Sequence, residues 1–75
     1  MKKFEMVDIG GKIVMTREVH DGISAEIMFH EDGTITLEIG DEEPIDMSMY
    51  DVDTVRIYHY RTLVASVSIV YATEY

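Results

Sequence analysis

The sequence predicts a small all-β domain, a single antiparallel meander of six or seven strands that is barrel-like or a small sandwich. Three observations carry that prediction. Apolar and polar residues alternate over short runs, turns centred on Gly interrupt the runs about every 8 to 12 residues, and no stretch has the 3.6-residue period of an amphipathic helix. Seventy-five residues make one domain, 1–75, and 47% apolar content is enough for a folded globule.

The elements follow in chain order. The run Lys3 to Ile9 ends at Gly10 and Gly11, a two-residue turn that leads into Lys12 to Val19 and sets Met6 beside Met15 and Asp8 beside Ile13. His20, Asp21, Gly22 and Glu31, Asp32, Gly33 are three-residue loops closing on Gly, and they bracket the run Ile23 to Phe29. Across the first loop Val19 faces Ile23 and Met15 faces Ile27. Across the second, Phe29 faces Ile35, Ile27 faces Leu37 and Ala25 faces Ile39, which defines the run Thr34 to Ile39. The loop Gly40 to Pro44 then pairs Ile39 with Ile45, Leu37 with Met47 and Ile35 with Met49 on the run Ile45 to Tyr50. Tyr50 to Thr54 is a polar connection with room for one short helical turn. Val55 to Tyr60 and Leu63 to Tyr71 complete the set. Around Arg61 a loop of Tyr60, Arg61 and Thr62 pairing Ile57 with Ala65, and a two-residue loop pairing Tyr58 with Ala65, both remain open. The predicted core is Met15, Ile27, Phe29, Ile35, Leu37, Ile39, Met47, Ile57, Val67 and Ile69. Leu63 to Tyr71 has strong β-propensity and no charge, so it is expected to be central or paired with another subunit.

Charge is the main functional signal. Fifteen Asp and Glu against six Lys and Arg give a net charge of −9, which disfavours direct contact with nucleic acid or an anionic membrane and favours a basic partner. Between Arg17 and Arg56 there is no Lys or Arg, while 12 of the 15 carboxylates fall there. Under the registers above, Glu26 lies across from Glu38 and Glu38 across from Asp46, a row of carboxylates on strands about 4.8 Å apart. Glu31, Asp32, Asp41, Glu42 and Glu43 crowd the ends of the same strands. Like charges directly opposed on a sheet cost a few tenths of a kcal/mol each, and folding does not require them.

Two classes of function follow. In one, the acidic face stands in for phosphates and occupies a Lys/Arg-lined groove of a nucleic-acid-handling protein, a non-enzymatic binding or inhibitor role. In size, acidity and lack of cysteine the chain resembles viral and mobile-element antagonists of restriction or CRISPR nucleases, and that resemblance implies inhibition by nucleic-acid mimicry. No motif accompanies it. In the other class, the chain is a small structural or assembly module that oligomerises through its β edges, and the acidity serves solubility. Tyr58 and Tyr60, and an outward apolar strip of Val7, Val14 and Met28, are its candidate interface residues, with a homo-oligomer the expected form.

Other chemistry finds little support. Asp51 and Asp53 lack the continuing acidic positions and the Gly of a Ca²⁺-binding loop, so no metal is expected. His20 and His30 stand at opposite ends of one run, too far apart to share an ion, and His20 could approach only His59. Ser24, Ser48, Ser66 and Ser68 lie within strand runs rather than on a sharp turn, and Gly10 and Gly11 do not make a phosphate loop. The chain is read as non-enzymatic and without a cofactor. The absence of Cys and of a membrane-length apolar stretch points to a soluble, cytoplasmic protein, in the host cytoplasm if viral. Glu5 and Asp8 interrupt any signal-like start, so the N-terminus is read as mature.

Overall fold

The computed structural model describes residues 1–69, which form β1 (Lys2–Val7), β2 (Ile13–Val19), β3 (Ala25–Phe29), β4 (Ile35–Ile39), β5 (Ile45–Asp46), a 3₁₀ helix (Met47–Tyr50), β6 (Thr54–His59) and β7 (Thr62–Ser68). They build two antiparallel sheets, one of four strands in the order β2-β1-β6-β7 and one of three in the order β3-β4-β5. The fold is thus all-β and a small sandwich, not a closed barrel. The core lies between the layers: Phe4, Met6, Val19 and Val55 from the larger sheet meet Ile35, Leu37 and Ile39 from the smaller, with Met47, Val52 and Ile69 closing the cluster.

The chain is not a single meander. β2 and β3 belong to different sheets, so the expected pairings of Val19 with Ile23 and Met15 with Ile27 do not form. The turn itself keeps its predicted chemistry, with Gly22 at φ +88° and the Ile23 amide donating to the His20 carbonyl at 3.2 Å. Beyond it the chain crosses to the second layer. Stacking two layers buries alternating apolar faces that one open sheet would leave in water. The vacated place beside β1 goes to β6, in register from Lys2 opposite His59 to Val7 opposite Thr54.

Three further registers differ from expectation, each for a local reason. In the β1–β2 hairpin Met6 faces Met15 as predicted, but Val7, not Asp8, faces Ile13, because Val14 is an extra bulged residue. Asp8 leaves the ladder and its Oδ1 accepts from the Gly10 and Lys12 amides at 3.0 and 2.9 Å. In the β4–β5 pair Leu37 faces Ile45 and Thr36 faces Asp46, a slip of two residues. Alternation has a period of two, so a two-residue slip leaves every face assignment intact and is invisible to it. The run Ile45 to Tyr50 therefore gives only a two-residue strand. The helical turn comes earlier than expected, at Met47–Tyr50, burying Met47 and leaving Met49 exposed rather than opposite Ile35. In the β6–β7 hairpin Ile57 faces Ala65 while Tyr58 faces Leu63, so a bulge at Val64 combines one predicted register with the other predicted loop length.

Burial corrects two further expectations. Ile35, Leu37, Ile39, Met47 and Ile69 are buried, and Met15, Ile27, Ile57 and Val67 pack half-buried against them. Phe29, at the end of edge strand β3, is 61% exposed and is not core. Val7, Val14 and Met28 form no outward strip: Val7 is buried on β1, Val14 is the bulge on β2, and Met28 lies on the other sheet. Nor is β7 central. Among the described residues it is an edge strand, ending at Ser68, and the last two residues of the predicted run, Val70 and Tyr71, fall outside them.

Candidate functional site, an acidic layer

The sandwich separates charge by layer. Residues 20–53, which carry the three-stranded sheet, its turns and the 3₁₀ helix, hold eleven carboxylates and no Lys or Arg. Residues 1–19 and 54–69, which carry the four-stranded sheet, hold all six Lys and Arg and three carboxylates, Glu5, Asp8 and Glu18. In formal charge the segment 20–53 is −11 and the rest of the described chain +3, with Glu74 outside the described residues. Two of the eleven carboxylates stand against the four-stranded sheet, Asp21 on the Met1 ammonium and Tyr60, and Asp53 through backbone hydrogen bonds to Val7 and Ile69.

On the outer face of the acidic layer Glu26 lies directly opposite Glu38, as predicted from the tight turn at Gly33. Glu38 accepts from the Thr36 hydroxyl at 3.3 Å, and the same Thr36 oxygen stands 2.8 Å from His30 Nε2. Thr36 has one proton to give, so donating it to Glu38 requires His30 to present Nε2–H. When charged, His30 also faces Glu38 at 3.9 Å. The predicted third member of the row is elsewhere. Asp46 lies opposite Thr36, and its Oδ1 accepts from the Ser48 amide at 2.9 Å and the Ser48 hydroxyl at 2.6 Å, capping the 3₁₀ helix. Its role is to end β5, so the row across the sheet is two carboxylates wide.

The other predicted acidic residues sit at the strand ends. Asp32 Oδ1 accepts from the Thr34 hydroxyl at 2.6 Å and the Thr34 amide at 3.0 Å, which holds its carboxyl below the usual range and shapes the β3–β4 turn beside Glu31. Asp41, Glu42 and Glu43 are exposed on the connection to β5. Among the described residues, no three His, Asp or Glu side chains stand close enough to hold a metal ion.

Two of the basic layer's cations, Lys3 and Arg56, meet a carboxylate within the same sheet. Glu5, with a side chain only 12% exposed, lies between Lys3 Nζ at 3.4 Å and Arg56 at 3.6 Å. Tyr58 joins it, donating its hydroxyl to Glu5 at 3.4 Å while Lys3 Nζ sits 4.9 Å from the Tyr58 ring centre. This candidate interface tyrosine is therefore half-buried and engaged within its own sheet. Tyr60 is more open, at φ +57° in the β6–β7 turn. Its hydroxyl donates to Asp21 at 3.0 Å, its amide to the Met1 carbonyl at 2.9 Å, and the Met1 ammonium pairs with Asp21 at 2.7 Å. The ammonium and the Tyr60 hydroxyl lower the Asp21 pKa, and the same contact raises that of Tyr60.

Sequence reasoning missed one feature. Met1, Lys2, Lys3, Glu18, Tyr60, Arg61 and Thr62 line a concavity of about 530 Å³ at the end of the basic layer. Its walls come from both ends of the chain, brought together by the β1–β6 pairing that no local pattern announces. Comparison of the chain with protein-family models, with curated proteins and with solved structures finds no match.

Proposed function

We propose that the chain is a non-enzymatic binding protein whose three-stranded layer docks on a cationic surface of a nucleic-acid-handling protein and so competes with nucleic acid. The single observation that carries this reading is that residues 20–53, which carry the three-stranded sheet, hold eleven carboxylates and no Lys or Arg. Such a field attracts a Lys/Arg-lined groove and speeds encounter with it, and Glu26 opposite Glu38 has no folding role that offsets its repulsion. The targets that fit are proteins that close such a groove around nucleic acid, among them nucleases of the restriction or CRISPR type. The basic layer, with Glu5 bracketed by Lys3 and Arg56, supports the acidic one and takes no part in docking.

The test is capture from a host lysate on immobilised protein, followed by competition. Proteins held by the acidic layer should be released by duplex DNA and by salt, and a Glu26→Lys, Glu38→Lys double variant should retain much less of them. Retention indifferent to DNA, salt and charge reversal would falsify the proposal. Assembly through β edges, the other class of function, draws its support from β7.

A further inference from the structure

Among the described residues the two sheets end in four edges, and three of them resist pairing with another chain. β2 carries Arg17 and Glu18 on its outer edge together with the bulge at Val14. β3 carries Glu26 and belongs to the acidic layer, so pairing it with its own copy would set carboxylate against carboxylate. β5 is two residues long and follows Pro44. Charges, bulges, brevity and Pro are the usual means of keeping an edge from recruiting a new strand. β7 has the least of them. Its sequence, TLVASVS, has no charge, Pro or Gly, and its bulge at Val64 lies beside the turn, leaving Ala65 to Ser68 in regular pairing with β6. Among the described residues it pairs with β6 alone, and six of its seven residues are exposed, with Leu63 at 51% and Val64 at 57%.

We infer that β7 is the contact between two copies of this chain, paired antiparallel with the same strand of a second copy. Charge selects the partner. A second copy also carries −9, and β7 brings two copies together where neither presents carboxylates, since it is an uncharged edge flanked by a strand whose one charged residue is Arg56. A strand of this composition, with branched apolar side chains left in water, gains from being covered, and its unpaired amides and carbonyls gain ladder partners. An antiparallel pair of identical strands has its two-fold axis perpendicular to the sheet. The two four-stranded sheets then become one of eight strands, and both acidic layers lie on the same side of it.

Sedimentation of the full chain across a wide concentration range tests this. The expected result is a species of twice 8.6 kDa that tightens as salt screens the like charges. Val64→Lys, at an exposed position, should keep the far-UV circular dichroism and thermal melt and weaken association about tenfold or more. Ile9→Lys, at a residue 90% exposed in the β1–β2 turn, should leave association unchanged. Hydrogen exchange of the β7 amides should slow as concentration rises. A monomer at every concentration overturns the inference, and so does a dimer that Val64→Lys leaves intact or that Ile9→Lys dissolves.

Discussion

The two layers solve the same folding problem with opposite use of charge. In the four-stranded layer a carboxylate is built in: Glu5 is nearly covered, and Lys3, Arg56 and Tyr58 each reach it. In the three-stranded layer Glu26 faces Glu38 with no Lys or Arg to answer them, and only His30, when charged, comes within 3.9 Å of Glu38. Chain connectivity follows the same division. The three-stranded sheet is made wholly of neighbours in sequence, whereas the larger sheet joins β1 to β6 across most of the chain. Glu5 is thus a ligand within the fold and Glu26 an exposed field, while Asp21, Asp32 and Asp46 of the acidic segment hold turns and a helix cap.

Substitutions test that contrast, beginning with the core both layers share. Leu37 is fully buried at the centre of the acidic layer, and Leu37→Ala should cost about 3 kcal/mol in urea unfolding, enough to unfold much of a domain this small. Phe29→Ala, on the same sheet but 61% exposed, should cost less than about 1 kcal/mol. Comparable losses at both sites would mean that β3 is covered in solution.

Next in size is Glu5→Ala, which strands two cations and a hydroxyl on the basic layer and should destabilise by about 1 to 2 kcal/mol. Asp46→Ala removes the cap on the 3₁₀ helix and should cost about 1 kcal/mol, although Asp46 belongs to the acidic layer. Glu26→Gln should have the opposite sign, stabilising by a few tenths of a kcal/mol as its repulsion with Glu38 is lost, while weakening capture of a basic partner. A loss of stability in Glu26→Gln would contradict the division of carboxylates drawn above.

The smallest effect is the pH dependence at the exposed turns. Asp21 and Asp32 have lowered pKa values in the fold, so their contributions are present above the unfolded value of about 3.9 and fade as pH falls below it. Tyr60 has a raised pKa, so its contribution is full below about pH 10 and is lost as pH rises through the folded value. Melting temperature against pH should therefore decline at both extremes. Asp21→Asn should blunt the alkaline decline, because Tyr60 then loses the carboxylate that holds its proton.

Much of the three-stranded layer was legible in the sequence. The Gly33 turn fixes the β3–β4 register, and alternation then places Ile27 with Leu37 and Glu26 with Glu38. Asp46 was misplaced because a slip of two residues preserves every face, and only the backbone at Met47–Tyr50 reveals the 3₁₀ helix that requires it. The four-stranded layer was less legible. Phe4, Met6 and Val55 read as strand residues, but nothing local states that β1 receives β6, so the Lys3–Glu5–Arg56 network and the concavity near Arg61 could not be foreseen.

That central place of β1 also sets an order in time. On the ribosome β1 and β2 emerge before the rest of the described chain and can close their hairpin, but the other side of β1 waits for β6, about fifty residues later. At roughly 5 to 20 residues per second the wait is about 3 to 10 s. The strands of the β3–β4 hairpin, neighbours in sequence, are available to each other meanwhile. Throughout the delay β1 offers an open strand to any other nascent chain. Lys2, Lys3 and Glu5, which end up lining a concavity and joining an ion network, lie along that waiting strand and place charge where an aggregating neighbour would have to pair.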